Sequence, residues 1–152
     1  MGATVSFDLG YGFDASWGKP LPVSGTVRLV CDGRFYYTGG AYGATWASMG
    51  LSAVLEIGSV EVLIMSQPTY DWWDEQYRNA GMDVRGAKFI GIKNPMNYQF
   101  AYRDVAKASF IVDTPGPTPA KIAVLQHQRL PRPFYPRDTE IPDLQIPVVV
   151  NR

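Results

Sequence analysis

Apolar and polar side chains alternate along the first third of the chain, and the period changes after Pro68. Thr4 to Leu9 reads as a strand, with Val5 and Phe7 on one face and Ser6 and Asp8 on the other. Val23 to Cys31 alternates again, placing Val27, Leu29 and Cys31 in phase. Asp32-Gly33 is a strong hairpin signal, so Phe35-Tyr36-Tyr37 is expected as the return strand. Gly39, Gly40 and Gly43 open a loop to Gly50, either a flap over a site or an ordinary connection. Ala53–Ile57 and Val60–Met65 suggest a second hairpin turning at Gly58. The Val60–Met65 run is mostly apolar and reads as a central strand covered on both faces.

Beyond Pro68 the spacing becomes helical. Asp71 is placed to cap a helix over Trp72 to Ala80, with Trp73, Gln76, Tyr77 and Ala80 on one face and Gly81 as its C-terminal cap. One of Trp72 and Trp73 is expected in the core and the other facing a partner. Phe89 to Ile92 predicts a strand, Pro95 to Lys107 a helix capped by Asn94, and Ser109 to Val112 another strand. This β-α-β unit predicts parallel strands in the second half. Residues 115 to 152 hold eight prolines and read as a short helix near Ile122–His127 followed by an extended tail. The fold class expected is α/β, with α+β open: one domain with a mixed, strand-rich sheet, N-terminal β-hairpins, a β-α-β unit and a proline-rich tail. The domain is set at residues 1–138 and the tail at 139–152.

Composition narrows the function classes. The 152 residues are 46% hydrophobic and 18% charged, enough for one soluble core. Fourteen basic and fourteen acidic residues cancel and form no basic stripe, which argues against nucleic acid as a partner. No apolar run approaches the roughly 20 residues that span a bilayer, so no membrane is expected. The N-terminus has neither the charged nor the apolar region of a signal peptide, and Cys31 is alone; both fit a cytoplasmic protein. Cys31 reads as a small buried hydrophobe rather than a nucleophile. His127 is the only histidine and shares no ligand spacing with Cys31, so no metal ligands are assigned in this chain.

The candidate chemistry gathers at predicted strand ends. Phe89-Ile90-Gly91-Ile92 delivers Lys93 to the mouth of the Asn94-capped helix, and a cation beside free helix N–H groups makes an anion or carboxylate cradle. The bland alternative is a solvated strand end. Asn97 lies one turn further on. Asp113 and Thr114 end the following strand, and Ser66 and Gln67 end an earlier one; ligands bind outside the carboxyl ends of parallel strands. For Asp113 and Thr114 the alternative is a plain Asp-Thr-Pro-Gly turn.

Several motifs in order resemble the C-terminal domain of the microcystinase C (MlrC) family of zinc metallopeptidases. They are Gly25-Thr26-Val27-Arg28 with Asp32-Gly33-Arg34-Phe35, Gly43 with Met49 to Leu55, Ser66 to Asp71, Gly81-Met82-Asp83, Ile92-Lys93-Asn94, Val112 to Gly116, and Arg129 to Pro136. The likeness reaches about Asp138. Two departures stand out: the family usually has serine where Asn94 stands, and a histidine-phenylalanine-arginine run where Asn97, Tyr98 and Gln99 stand. The resemblance implies that a separate N-terminal domain, in the same or another chain, carries the zinc. It also implies a small peptide or amide substrate; the candidate contacts in this chain are Lys93, Asn94, Asn97, Asp113, Thr114, Ser66 and Gln67. No catalytic residue and no cofactor is assigned to this chain, which is not expected to be active alone. The alternative is a non-catalytic scaffold or dimerisation module, and homo-oligomerisation stays open.

Overall fold

The computed structural model describes residues 1–10, 12, 14–94, 96–116 and 118–141. The chain divides into two compact units, Met1–Phe110 and Ile111–Arg152. It is a strand-rich, mixed α/β structure with antiparallel sheets and two short helices.

In the first unit, strands β1 (Thr4–Leu9), β2 (Leu21–Cys31), β5 (Ser52–Ile57) and β6 (Val60–Met65) form one antiparallel sheet in the order β1-β2-β5-β6. The β5–β6 hairpin turns at Gly58, as the sequence predicts, with Ile57 opposite Val60. Between β2 and β5 the register shifts at Val27/Leu29, so Arg28 is an extra residue, a β-bulge. The Arg28 guanidinium pairs with Glu61 at 3.0 Å and donates to the Gly81 carbonyl at 3.0 Å.

Three expectations for this half are corrected. The strand after Asp32-Gly33, β3 (Arg34–Tyr37), does not return along β2, because both edges of β2 are occupied by β1 and β5. It pairs instead with β4 (Thr45–Ser48), which forms inside the stretch read as a loop. Asp32 still makes a turn, its Oδ1 accepting from the Arg34 N–H at 3.1 Å. Gly33 has φ +68°, and a Cβ there would stand 2.1 Å from the Gly50 carbonyl oxygen, so the backbone leaves the sheet through a contact open only to glycine. The third correction is β6, which is an edge strand rather than a central one. Its apolar run is explained on one face by Leu63 and Met65, which pack on the core of Phe35, Tyr37 and Met49.

Helix α1 spans only Glu75–Asn79, and α2 only Tyr98–Tyr102. Gly81 ends α1 as predicted: at φ +66° its N–H bonds the Arg78 carbonyl and the Met82 N–H bonds the Tyr77 carbonyl. A second core gathers Val84, Ala101 and Tyr102, with Ile90, Ile92, Tyr77 and Tyr98 against it. Trp73 packs on both clusters; Trp72 packs on the first and tilts against Tyr70 and Tyr42. Both tryptophans are half-buried.

The β-α-β unit is also corrected. Neither 89–92 nor 109–112 is a strand, α2 is one short turn-and-a-half, and every ladder among the described residues is antiparallel. The alternation over 89–94 survives as side-chain pattern, with Ile90 and Ile92 turned to the core, yet no backbone among the described residues pairs with it. Pro95, expected at the first helical position, lies outside the described residues.

In the second unit the predicted short helix is a single 3-10 turn, Ile122–Val124. Arg137 donates to the Leu125 carbonyl at 2.7 Å, Arg132 pairs with Asp138, and the Phe134 N–H donates to Asp138 Oδ2 at 2.8 Å. Of the expected tail, 139–152, residues 142–152 lie outside the described residues. Among the described residues no helix is long and apolar enough to cross a membrane.

Candidate functional site

The segment following β6 carries most of the buried polar chemistry. Tyr37 donates its hydroxyl to the Tyr70 carbonyl at 2.6 Å, anchoring the segment to β3. Asn94 then fastens it from the other side. Its Oδ1 accepts from the Tyr70 hydroxyl at 2.9 Å and from the Asn97 and Met96 N–H groups at 2.8 and 3.3 Å, while its Nδ2 donates to the Asp71 carbonyl. Asn97 adds a bond from Nδ2 to the Trp72 carbonyl at 2.9 Å. Asn94 is only 4% exposed, so this saturation is what makes its burial tolerable.

Beneath this lacing lies Asp71, 4% exposed. Tyr102 donates its hydroxyl to both carboxylate oxygens, at 2.9 and 3.0 Å, and Tyr77 donates to Oδ2 at 3.3 Å. Burial pushes the Asp71 carboxyl up to about 6; the two tyrosine bonds oppose that, and the nearby charges of Asp74 and Glu75 add to it. Burial, then the Asp71 charge, pushes both phenols well above their ordinary range, so they remain donors. Next to them Arg78 pairs with Asp74 at 3.0 Å and Glu75 at 3.1 Å. Glu75 Oε1 also accepts from the Thr38 N–H at 2.7 Å and the Thr38 hydroxyl at 2.5 Å. Glu75 Oε2 and Gln76 Oε1 are buried without a hydrogen-bond partner among the described residues.

Among the described residues no group of three or more His, Cys, Asp or Glu side chains is arranged to hold a metal ion. Asp71 is engaged by phenols, and Asp74 and Glu75 by a guanidinium, which are the partners of structural carboxylates. The described residues therefore do not fit a zinc centre.

The MlrC C-terminus family model matches residues 1–129. The chain belongs to the MlrC C-terminus family. A solved structure from Mesorhizobium sp. BNC1, described as a "putative metallopeptidase", is 29% identical with a TM-score of 0.75; the match covers 93% of this chain and 28% of that one. The chain thus spans little more than a quarter of that relative. No curated protein matches it.

Within this MlrC C-terminal domain, the predicted site residues fall in both units: Ser66, Gln67, Lys93, Asn94 and Asn97 in the first, Asp113 and Thr114 in the second. Lys93 is exposed and makes no ion pair among the described residues. The anion cradle expected beside it is corrected: α2 begins only at Tyr98, and the amides of Met96 and Asn97 are taken by Asn94 Oδ1. Ser66 and Gln67 instead belong to the Gly50 turn, with their N–H groups bonded to the Leu51 and Met49 carbonyls at 3.1 and 3.0 Å. Ser66 also borders a shallow, apolar depression of about 340 Å³ with Val30, Leu51 and Ile64. Asp113 and Thr114 are exposed in the second unit, where Asp113 pairs with Lys121 at 3.4 Å.

The buried Asp71–Tyr77–Tyr102 group of this domain is absent from the sequence reading. Asp71 had a ready local explanation as a helix cap, and that is corrected too: α1 starts at Glu75, and the position before it is Asp74. The signal available was Asp71's place in an otherwise aromatic stretch, Tyr70 to Trp73, where a carboxylate needs donors from elsewhere in the fold.

Proposed function

We propose that this chain is the C-terminal accessory domain of an MlrC-like metal-dependent peptidase or amide hydrolase, with the zinc held by a separate N-terminal domain. The observation that carries this reading is the likeness to a described metallopeptidase of which the chain spans only 28%, together with the family match. Lys93 supplies a positive contact for a substrate carboxylate, and Asn94, fixed by four hydrogen bonds, sets where it emerges. The other candidates, Asn97, Asp113, Thr114, Ser66 and Gln67, are secondary contacts in this proposal. A peptide or small amide is the substrate class, and the cytoplasm the compartment.

The test is Lys93→Ala in the assembled enzyme, with a peptide substrate and its C-terminal amide compared. Losing a charge-assisted contact of about 1.5–3 kcal/mol should raise KM for the free acid by roughly 10- to 100-fold and leave the amide nearly unaffected. Equal kinetics for the acid before and after substitution would remove Lys93 from the site. A scaffold role is the second reading. It is favoured by the exposed apolar side chains at 89 and 110–112.

A further inference from the structure

Two segments of this chain have the sequence of strands and the surroundings of none. Phe89-Ile90-Gly91-Ile92 alternates as a strand does: Ile90 and Ile92 pack on the Val84, Ala101 and Tyr102 core, while Phe89 is 90% exposed. Phe110-Ile111-Val112 is exposed at 82%, 71% and 73%, an unbroken run of three large apolar side chains. Neither segment makes a backbone hydrogen bond to another among the described residues. Scattered exposed hydrophobes are ordinary, but a contiguous β-branched and aromatic run turned to water is not. Such a run is what a strand buried on both faces of a sheet looks like.

We infer that these two segments are docking strands: each adds to the open sheet edge of the domain that completes the enzyme. The inference rests on the reading that another domain carries the metal, and it identifies how this chain grips it. The partner's required chemistry follows from the segments. It must present unpaired strand N–H and C=O groups, which supply the missing ladder, and an apolar layer on each side to cover Phe110 and Val112 on one face and Ile111 on the other. The solved relative has the chain length to supply such a sheet, since the match leaves nearly three quarters of it uncovered.

The experiment uses the full 152-residue chain and, as probe, the uncovered part of the Mesorhizobium relative expressed as a separate polypeptide. Sedimentation reports the complex, and amide hydrogen exchange reports the two segments. Expected is fast exchange at 89–92 and 110–112 in the free chain and at least tenfold slower exchange in the complex. Val112→Lys should weaken the complex at least tenfold without moving the melting point of the free chain, because Val112 is already exposed. Ile111→Pro, which removes a ladder donor, should do the same. The inference is overturned by a complex in which both segments exchange as in the free chain. It is equally overturned by no complex at 100 µM of each component, by protection already present in the free monomer, or by protection arising from a dimer of this chain. Kinetics separate the two proposals: if protection appears and Lys93→Ala leaves KM unchanged, docking stands and the substrate contact falls.

Discussion

Replacing Asp71 by Asn tests the buried acid directly. In the folded chain the Asp71 carboxyl titrates at about 6, against 3.8 for the ordinary side chain. The native state therefore holds this proton more tightly than the unfolded state does. Below 3.8 both states are protonated and above 6 both are ionised; between them stability falls as pH rises. At about 1.4 kcal/mol per pH unit, the ionised carboxylate costs the fold about 3 kcal/mol at neutral pH, roughly half of which develops between pH 5 and 7.5. Asn keeps an oxygen for the Tyr102 hydroxyl and removes the charge. The variant should be about 2 kcal/mol more stable than the parent at pH 7.5, with about 1 kcal/mol less stability lost between pH 5 and 7.5. Urea unfolding followed by tryptophan fluorescence at the two pH values measures both quantities. A parent and variant with the same difference between pH 5 and 7.5 would refute the argument, because the proton in question would then belong to some other group.

Other substitutions probe other joints. Asn94→Ala strands the Tyr70 hydroxyl and two backbone N–H groups, so chemical denaturation should show a loss of about 2–3 kcal/mol, with Asn94→Ser milder because a hydroxyl still accepts from the Asn97 N–H. Gly33→Ala meets the Gly50 carbonyl at 2.1 Å with φ positive and should lower stability by about 3 kcal/mol or abolish soluble expression. Gly81→Ala has open space but the same backbone problem, so calorimetry should find only about 1 kcal/mol lost; a loss as large as that at Gly33 would contradict the assignment of their difference to contact. Arg28→Met should cost about 1 kcal/mol, reduced by added salt in the parent only, since its pair with Glu61 is partly exposed.

What the sequence makes legible here is local. Alternation locates β1 and β2, the apolar runs on either side of Gly58 locate β5 and β6, and Gly58 and Gly81 announce a turn and a helix end through their backbone freedom alone. Asn94 is readable as far as its bond from an N–H three residues on, a short-range act, but it closes the turn before α2 and the N-cap of that helix is Asn97. Partners are not local. Nothing in Phe35-Tyr36-Tyr37 says that β2 is already flanked, so the neighbouring hairpin signal misleads. Apolarity also cannot report what supplies the cover, which is why β6 reads as central and 109–112 as a strand. Asp71 fails for the same reason: its donors, Tyr77 and Tyr102, lie 6 and 31 positions away. Lys93 was legible as an exposed cation beside a cap, but not the prior commitment of the amides around it.

The close approach of Gly33 to Gly50 has a consequence for how the chain finds its fold. β2 and β5 are separated in sequence by about twenty residues, which would ordinarily tax their meeting through loop closure. The β3–β4 hairpin lies wholly inside that interval, and once zipped it holds Gly33 against Gly50, with the Met49 N–H on the Gly33 carbonyl. The search left to β2 and β5 is then that of a loop of a few residues. The hairpin acts as a splint for the larger sheet, and its tip is tied down in turn, by Thr38 on Glu75 and Tyr42 against Trp72, so the same splint also fixes where the segment after β6 can lie.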